Sequence, residues 1–352
     1  MSYLDSKRIV GTNTDRIGTD AIAGGWKELA RTTLGSAGDS ITVSSLADKR
    51  YYMVLVDGQS SGATRPNIRL NGDTGSNYTY RYSSNGGGDV TSTSQAQAEV
   101  SNHAPSSIPQ FNTIYLANKS DKEKLGISYN VVQNTAGAGN APNRTETVFK
   151  HAQTSNAINS ITVYNDQGGD WASGAECVVL GYDPDNDTHT DNFWEELASS
   201  DWSSGSSFDS GTFTAKKYLW VQGYVDSATI NYHPLITVGN TTLDTGSNYA
   251  FRRSYDGNTD ATATSQSSWE IEMSGTASPK FFNLFIVNNA SNEKLGIMHA
   301  VAQLTAGAGT APSRRETVCK WANTSNQINI IGLKTTTGDF ASGSFIKVWG
   351  SN

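Results

Sequence analysis

One block of this chain, Glu123 to Ile161, returns almost unchanged between Glu293 and Ile331, and this duplication limits the possible folds more than any other feature of the sequence. Glu123-Lys-Leu-Gly-Ile reappears as Glu293-Lys-Leu-Gly-Ile, while Thr135-Ala-Gly-Ala-Gly, Ala141-Pro, Glu146-Thr-Val and Thr154-Ser-Asn return at the same offset. Roughly two-thirds of the block is identical, far beyond what a shared turn-rich composition would give. The match extends outwards, pairing Trp26-Lys-Glu-Leu-Ala with Trp194-Glu-Glu-Leu-Ala, Asp73-Thr-Gly-Ser-Asn-Tyr78 with Asp244-Thr-Gly-Ser-Asn-Tyr249, and Gly181 with Gly350. Solenoid and propeller repeats run about 20 to 50 residues, whereas each copy here is the size of a domain. The expected organisation is an N-terminal arm (1–25), a first domain (26–182), a linker (183–193) and a second domain (194–352).

Within each copy the local pattern is that of strands. Ser40-Ile-Thr-Val and Tyr51-Tyr-Met-Val-Leu-Val56 are rich in β-branched and aromatic residues, and Asp57-Gly58 closes the second run. Tyr78, Tyr80 and Tyr82 alternate with polar residues, as do Leu125, Ile127, Tyr129 and Val131. The last pattern recurs at Leu295, Ile297 and Val301, so these side chains are expected to fill the domain cores. No window has a convincing helical period, although Trp26 to Arg31 could form one turn. About eight strands per copy, joined by polar connections, predict an all-β protein of two tandem homologous β-sandwich domains, jelly-roll-like, with another sandwich topology as the alternative.

Charged residues make up 17% of the chain and Gly contributes 34 positions, the composition of short strands and many turns. With a formal charge of −7 and scattered basic residues, nucleic acid is not an expected partner. No apolar run is long enough to span a bilayer, and Met1-Ser-Tyr-Leu-Asp-Ser-Lys-Arg lacks the apolar core of a signal peptide, so synthesis in a cytoplasm is expected. Cys177 and Cys319 occupy unmatched places in the two copies and are read as free thiols filling core volume.

The motifs favour structure over chemistry. In Asp73-Thr-Gly-Ser-Asn-Tyr78 the Gly supplies a turn and the Asp and Asn can bond the local backbone, with an ion or carbohydrate site as the sharper alternative. Thr135-Ala-Gly-Ala-Gly lacks the Gly-Lys-Ser/Thr of a phosphate loop and reads as a strand connection. Asp183, Asp185 and Asp187 in the linker resemble the opening of a calcium loop, but Thr188 and Trp194 stand where its Gly and bidentate Glu belong. The five histidines are unmatched between copies, and no nucleophile elbow or paired carboxylate supports catalysis, so neither an enzyme nor a cofactor is expected.

Two groups of residues point to assembly. Arg144, Glu146, Val148 and Lys150 share one face of a strand, and Arg314, Glu316, Val318 and Lys320 repeat it; such alternating charges on an exposed face make cross-strand or inter-subunit ion pairs. The arm has no counterpart in the second copy, so its ordering must be offset by contacts elsewhere. Tyr3, Leu4 and Ile9 are expected to be buried against a neighbouring chain, with Lys7, Arg8 and Arg16 facing carboxylates.

Trp-X-Glu-Leu-Ala at the start of each copy, Asp-Thr-Gly-Ser-Asn-Tyr in the middle and Phe340-Ala-Ser-Gly-Ser-Phe-Ile-Lys-Val-Trp-Gly350 at the end together resemble virion proteins of environmental, largely marine, viruses and phages. The resemblance covers both copies and the opening Tyr3-Leu-Asp-Ser-Lys-Arg-Ile. It implies a virion structural protein, a capsid shell subunit or a capsid or tail surface component, located in the virion. Its implied partners are further copies of itself, as a trimer or higher assembly, and other virion proteins. A fibre or adhesin module that binds a host glycan or receptor is the alternative.

Overall fold

The computed structural model describes residues 25–119, 121–183, 192–226, 233–271 and 277–352, and among these residues there is no helix. The first repeat contains β1 (Lys27–Thr33), β2 (Ser40–Val43), β3 (Tyr51–Gln59), β4 (Pro66–Leu70), β5 (Tyr78–Ser84), β6 (Val90–Gln95), β7 (Ala98–Glu99), β8 (Pro109–Ala117), β9 (Lys124–Val132), β10 (Asn143–His151), β11 (Ile161–Asn165) and β12 (Glu176–Tyr182). An eight-stranded sheet in the order β1-β12-β3-β8-β9-β10-β5-β6 faces a four-stranded sheet in the order β2-β11-β4-β7. Within this roll, β3, β4 and β5 pair on one side with β12, β11 and β10, and on the other with β8, β7 and β6. One long hairpin has thus folded over between the two sheets, the plan of a jelly roll.

The second repeat follows the same path with β13 (Glu195–Trp202), β14 (Ser207–Asp209), β15 (Tyr218–Val225), β16 (Pro234–Asn240), β17 (Thr242–Leu243), β18 (Tyr249–Tyr255), β19 (Ala261–Gln266), β20 (Trp269–Glu270), β21 (Lys280–Val287), β22 (Lys294–Ala302), β23 (Ser313–Trp321), β24 (Ile330–Thr335) and β25 (Ser344–Ser351). Its large sheet, β13-β25-β15-β21-β22-β23-β18-β19, matches the first strand for strand. The short β17 is an addition beside β16. The segment expected as a possible helical turn, Trp26 to Arg31, lies at the start of edge strand β1.

Each sandwich has its own apolar core. Tyr52, Val54, Val56, Ile114, Phe149 and Cys177 fill the first; Leu219, Val221, Phe282, Leu284, Cys319 and Ile346 fill the second. Both cysteines are free and buried. A third cluster lies between the outer faces of the two large sheets and joins Met53, Leu55, Phe111, Val131 and Val178 to Tyr218, Phe285, Leu295, Ile297 and Val318. The large sheets are therefore apolar on both faces.

This corrects the expected direction of the β9 side chains. Leu125 and Ile127 lie on the outer face and are 57% and 45% exposed, whereas their mates Leu295 and Ile297 are 0% and 3% exposed in the inter-repeat cluster. The inner face of β9 instead carries Gly126, Ser128 and Asn130. A side chain at Gly126 would strike the Phe149 ring, and Asn130 Oδ1 accepts a hydrogen bond from Ser101 Oγ at 2.9 Å. Phe149 fills from β10 the volume that β9 leaves empty.

The repeated motifs receive structural roles. Asp73 Oδ1 accepts from the Gly75 N–H and Oδ2 from Asn77 Nδ2, both at 2.8 Å, and the His151 ring donates to Oδ2 at 2.7 Å. Asp244 repeats this with Gly246 and Asn248, and Trp321 Nε1, at the position matching His151, donates at 2.7 Å. Lys124 and Lys294 are buried and donate to three backbone carbonyls each, which ties the turn before the strand to the loop after its neighbour.

Candidate interaction surface

The outer faces of the two large sheets bring matched residues of the two repeats together. Tyr129 and His299, mates in the duplication, have ring centroids 4.3 Å apart, and the mates Tyr115 and Phe285 are 6.5 Å apart. A cavity of about 270 Å³ is lined by Thr113 and Asn283, Tyr115 and Phe285, Ile127 and Ile297, and Tyr129 and His299, four pairs of mates. Self-complementary contacts of this kind are the mark of a twofold relation. Burial, with Arg144 and Arg314 nearby, lowers the His299 pKa to about 4, so its ring is neutral near pH 7.

A true twofold would make every contact twice, and here one half is made without the other. On the closed side Phe111 packs on Tyr218 at 6.3 Å, Lys217 Nζ pairs with Asp57 at 3.1 Å and Glu176 at 3.0 Å, and the Tyr218 hydroxyl donates to Glu176 at 2.8 Å. The Thr135-Ala-Gly-Ala-Gly connection between β9 and β10 reaches across to the second repeat. Its Gly137 N–H donates to Glu293 Oε1, its Thr135 carbonyl accepts from buried Lys320 Nζ, both at 2.5 Å, and its Ala138 carbonyl accepts from the Ser265 N–H at 2.7 Å. Gly137 has a φ of 85°, which supplies the bend.

Arg144 closes that side. Its guanidinium donates to both oxygens of Asp260 at 2.8 and 2.6 Å and to Glu146 at 2.5 Å, and Glu316 lies 3.6 Å away. Burial pushes the Glu146 carboxyl up to about 7, with Arg144 opposing and Glu316 and Asp260 adding to the rise.

The reciprocal contacts are absent among the described residues. The side chain of Arg314, mate of Arg144, is 62% exposed against 5%, and Asp89, mate of Asp260, is exposed and paired with Arg81. Lys150 and Glu123 pair with each other in solvent, while their mates Lys320 and Glu293 are buried. The Thr305-Ala-Gly-Ala-Gly connection is exposed throughout. Among the described residues seven large apolar side chains stand exposed, and six of them, Tyr51, Leu125, Ile127, Val148, Phe281 and Val301, are mates of residues buried in the inter-repeat cluster.

Of the expected assembly residues, Arg144, Glu146, Arg314 and Glu316 come together at this junction. Arg144 and Lys320 are not on an exposed face, as their strand alternation implied, because the other repeat covers them. Lys150 remains exposed. Tyr3, Leu4, Lys7, Arg8, Ile9 and Arg16 lie outside the described residues, as do Asp185 and Asp187; Asp183 lies inside them, just after β12. Asp57, Glu176, Lys217 and Asp260 carry the junction without having been singled out, since Lys217 is matched by Arg50 while the partners of its ion pairs have no acidic mates.

No protein-family model matches the chain, and neither does any curated protein. Among solved structures it is similar to domains LG4-5 of the mouse laminin alpha1 chain, at 8% identity and a TM-score of 0.21, covering 95% of this chain and 92% of that one. The LG1-3 region of the laminin alpha2 chain shows 8% identity and a TM-score of 0.21, over 89% of this chain and 64% of that one. The mavirus major capsid protein shows 6% identity and a TM-score of 0.14, over 99% and 91%. Likeness at this level says nothing of function.

Proposed function

We propose that the chain is a virion structural protein, a capsid shell subunit or a capsid or tail surface component, that assembles with further copies of itself and with other virion proteins and performs no catalysis. The observation that supports this reading most is the open half of the inter-repeat surface. Its apolar side chains are rimmed by Asp89, Glu123, Lys150 and Arg314, and their mates show the same residue types buried in a packed contact. Exposed apolar patches with polar rims mark interaction sites.

Light scattering and electron microscopy of the full-length protein should show a trimer or larger assembly, and Leu125→Glu combined with Val301→Glu should leave folded monomers. A wild-type chain that stays monomeric at every concentration contradicts the reading. The aromatic cavity lined by Tyr115, Tyr129, Phe285 and His299 supports a second reading, a fibre or adhesin module that takes a host glycan. Glycan-array binding lost on Tyr129→Ala would favour it.

A further inference from the structure

We propose that the cavity between the repeats, lined by Tyr115, Tyr129, Phe285 and His299, binds a single uncharged pyranose unit at the end of a glycan. The proposal rests on the reading of this cavity as a glycan site and names the class of sugar that enters it.

The polar groups of the cavity are surplus to the fold. Tyr115 is the mate of Phe285, Tyr129 of His299 and Thr113 of Asn283, so three of the four lining pairs differ, while Ile127 and Ile297 stay alike. Phe285 shows that the Tyr115 position packs without a hydroxyl. Burial raises the pKa of both phenols and lowers that of the imidazole, and among the described residues the Tyr115 and Tyr129 hydroxyls and the His299 ring make no hydrogen bond within the chain. Asn283 is held by its neighbours: its Oδ1 accepts from Trp220 Nε1 at 2.5 Å and from Gln222 Nε2 at 3.2 Å, which leaves its own amide N–H groups for the cavity. Buried polar groups in folded proteins are paired, and a ligand rich in hydroxyls pairs these.

Charge selects among such ligands. Among the described residues no charged side chain lines the cavity, and His299 is neutral near pH 7. The nearby Arg144 and Arg314 are already engaged by Asp260, Glu146 and Glu316. A carboxylate, sulfate or ammonium group would therefore lose its hydration in the cavity without a countercharge, which excludes sialic, uronic and sulfated sugars. Phenols and a neutral imidazole both donate and accept, as sugar hydroxyls do. Ile127, Ile297 and Phe285 offer apolar surface to the C–H face of a pyranose.

Size limits the occupant to one ring. The cavity of about 270 Å³ is smaller than the roughly 300 to 1,000 Å³ of pockets that enclose a drug-sized molecule. Ile127, 45% exposed, and Tyr129 also wall a neighbouring hollow that carries Arg81, Asp89 and Arg314, charges of both signs. The next sugar of the glycan lies there.

The test is saturation-transfer NMR of the full-length protein with the methyl glycosides of glucose, galactose, mannose and N-acetylglucosamine, alongside N-acetylneuraminic and glucuronic acids. At least one neutral glycoside should bind saturably. Tyr115→Phe with Tyr129→Phe keeps both rings and the circular dichroism spectrum, and should raise its Kd about tenfold or more through the loss of two hydrogen bonds. Ile127→Trp, at an exposed position on the wall shared with the outer hollow, should abolish binding by filling the entrance. Binding of the acidic sugars alone, or of a glycan array but none of the neutral glycosides, overturns this proposal and leaves the glycan reading standing. A neutral glycoside that binds both variants as well as the wild type sits elsewhere and overturns it too. Silence from the sugars and the array removes both.

Discussion

Ile127 and Ile297 occupy the same place in the same motif, yet one is half in solvent and the other is packed between the repeats. Ile297→Ala should therefore cost about 2 to 5 kcal/mol, and Ile127→Ala less than about 1 kcal/mol in the dilute chain, as read from denaturant midpoints. The acidic mates divide in the same way. Asp260→Asn removes the two-pronged partner of the buried Arg144 guanidinium and leaves it Glu146 and, farther off, Glu316; it should cost about 1.5 to 3 kcal/mol, whereas Asp89→Asn removes an exposed pair worth about 0 to 1 kcal/mol. Equal effects within either pair would mean that the repeats meet differently. Glu146 adds a pH signature. Its carboxyl titrates near 7 in the fold against an ordinary value of 4.5, so the folded state holds the extra proton between those values. That contribution is complete below 4.5 and is lost as pH rises through 7, on the order of 1 to 3 kcal/mol. Glu146→Gln should flatten this part of the stability curve.

At the scale of strands and turns, the sequence was legible wherever one physical demand acted on it. Alternation placed β9 and β22, and in the Asp-Thr-Gly-Ser-Asn-Tyr turn the Asp bonds the local backbone as expected, while the Asn donates to the Asp carboxylate instead of to the backbone. Its lock was not legible, because the ring N–H that closes it comes from His151 in one repeat and Trp321 in the other, far along the chain. Asp73→Ala should free that ring donor and the Asn77 amide together and cost about 1 to 3 kcal/mol, with the loss read by thermal unfolding. The facing of β9 was misread for a related reason. Alternation says that two faces differ but not which one is inside, and here the outer face meets another domain while Phe149 lets Gly126, Ser128 and Asn130 point inward. Strand number was underestimated because β1, β4 and β6 lack a run of β-branched and aromatic residues, and pieces as short as β7 and β20 carry no period at all.

For the whole molecule, duplication alone established two domains of one fold, but two identical motifs cannot reveal that only one of them is used. That difference arises from how two copies, joined in tandem and facing each other, settle into one half of a twofold contact. Hydroxyl-radical footprinting of side chains measures this inequality of mates. In the dilute chain Tyr51, Leu125, Ile127, Phe281 and Val301 should be oxidised several-fold faster than their mates Tyr218, Leu295, Ile297, Phe111 and Val131, and that excess should vanish on assembly. Equal oxidation of the two sets in the dilute chain, or an excess that survives assembly, would contradict it.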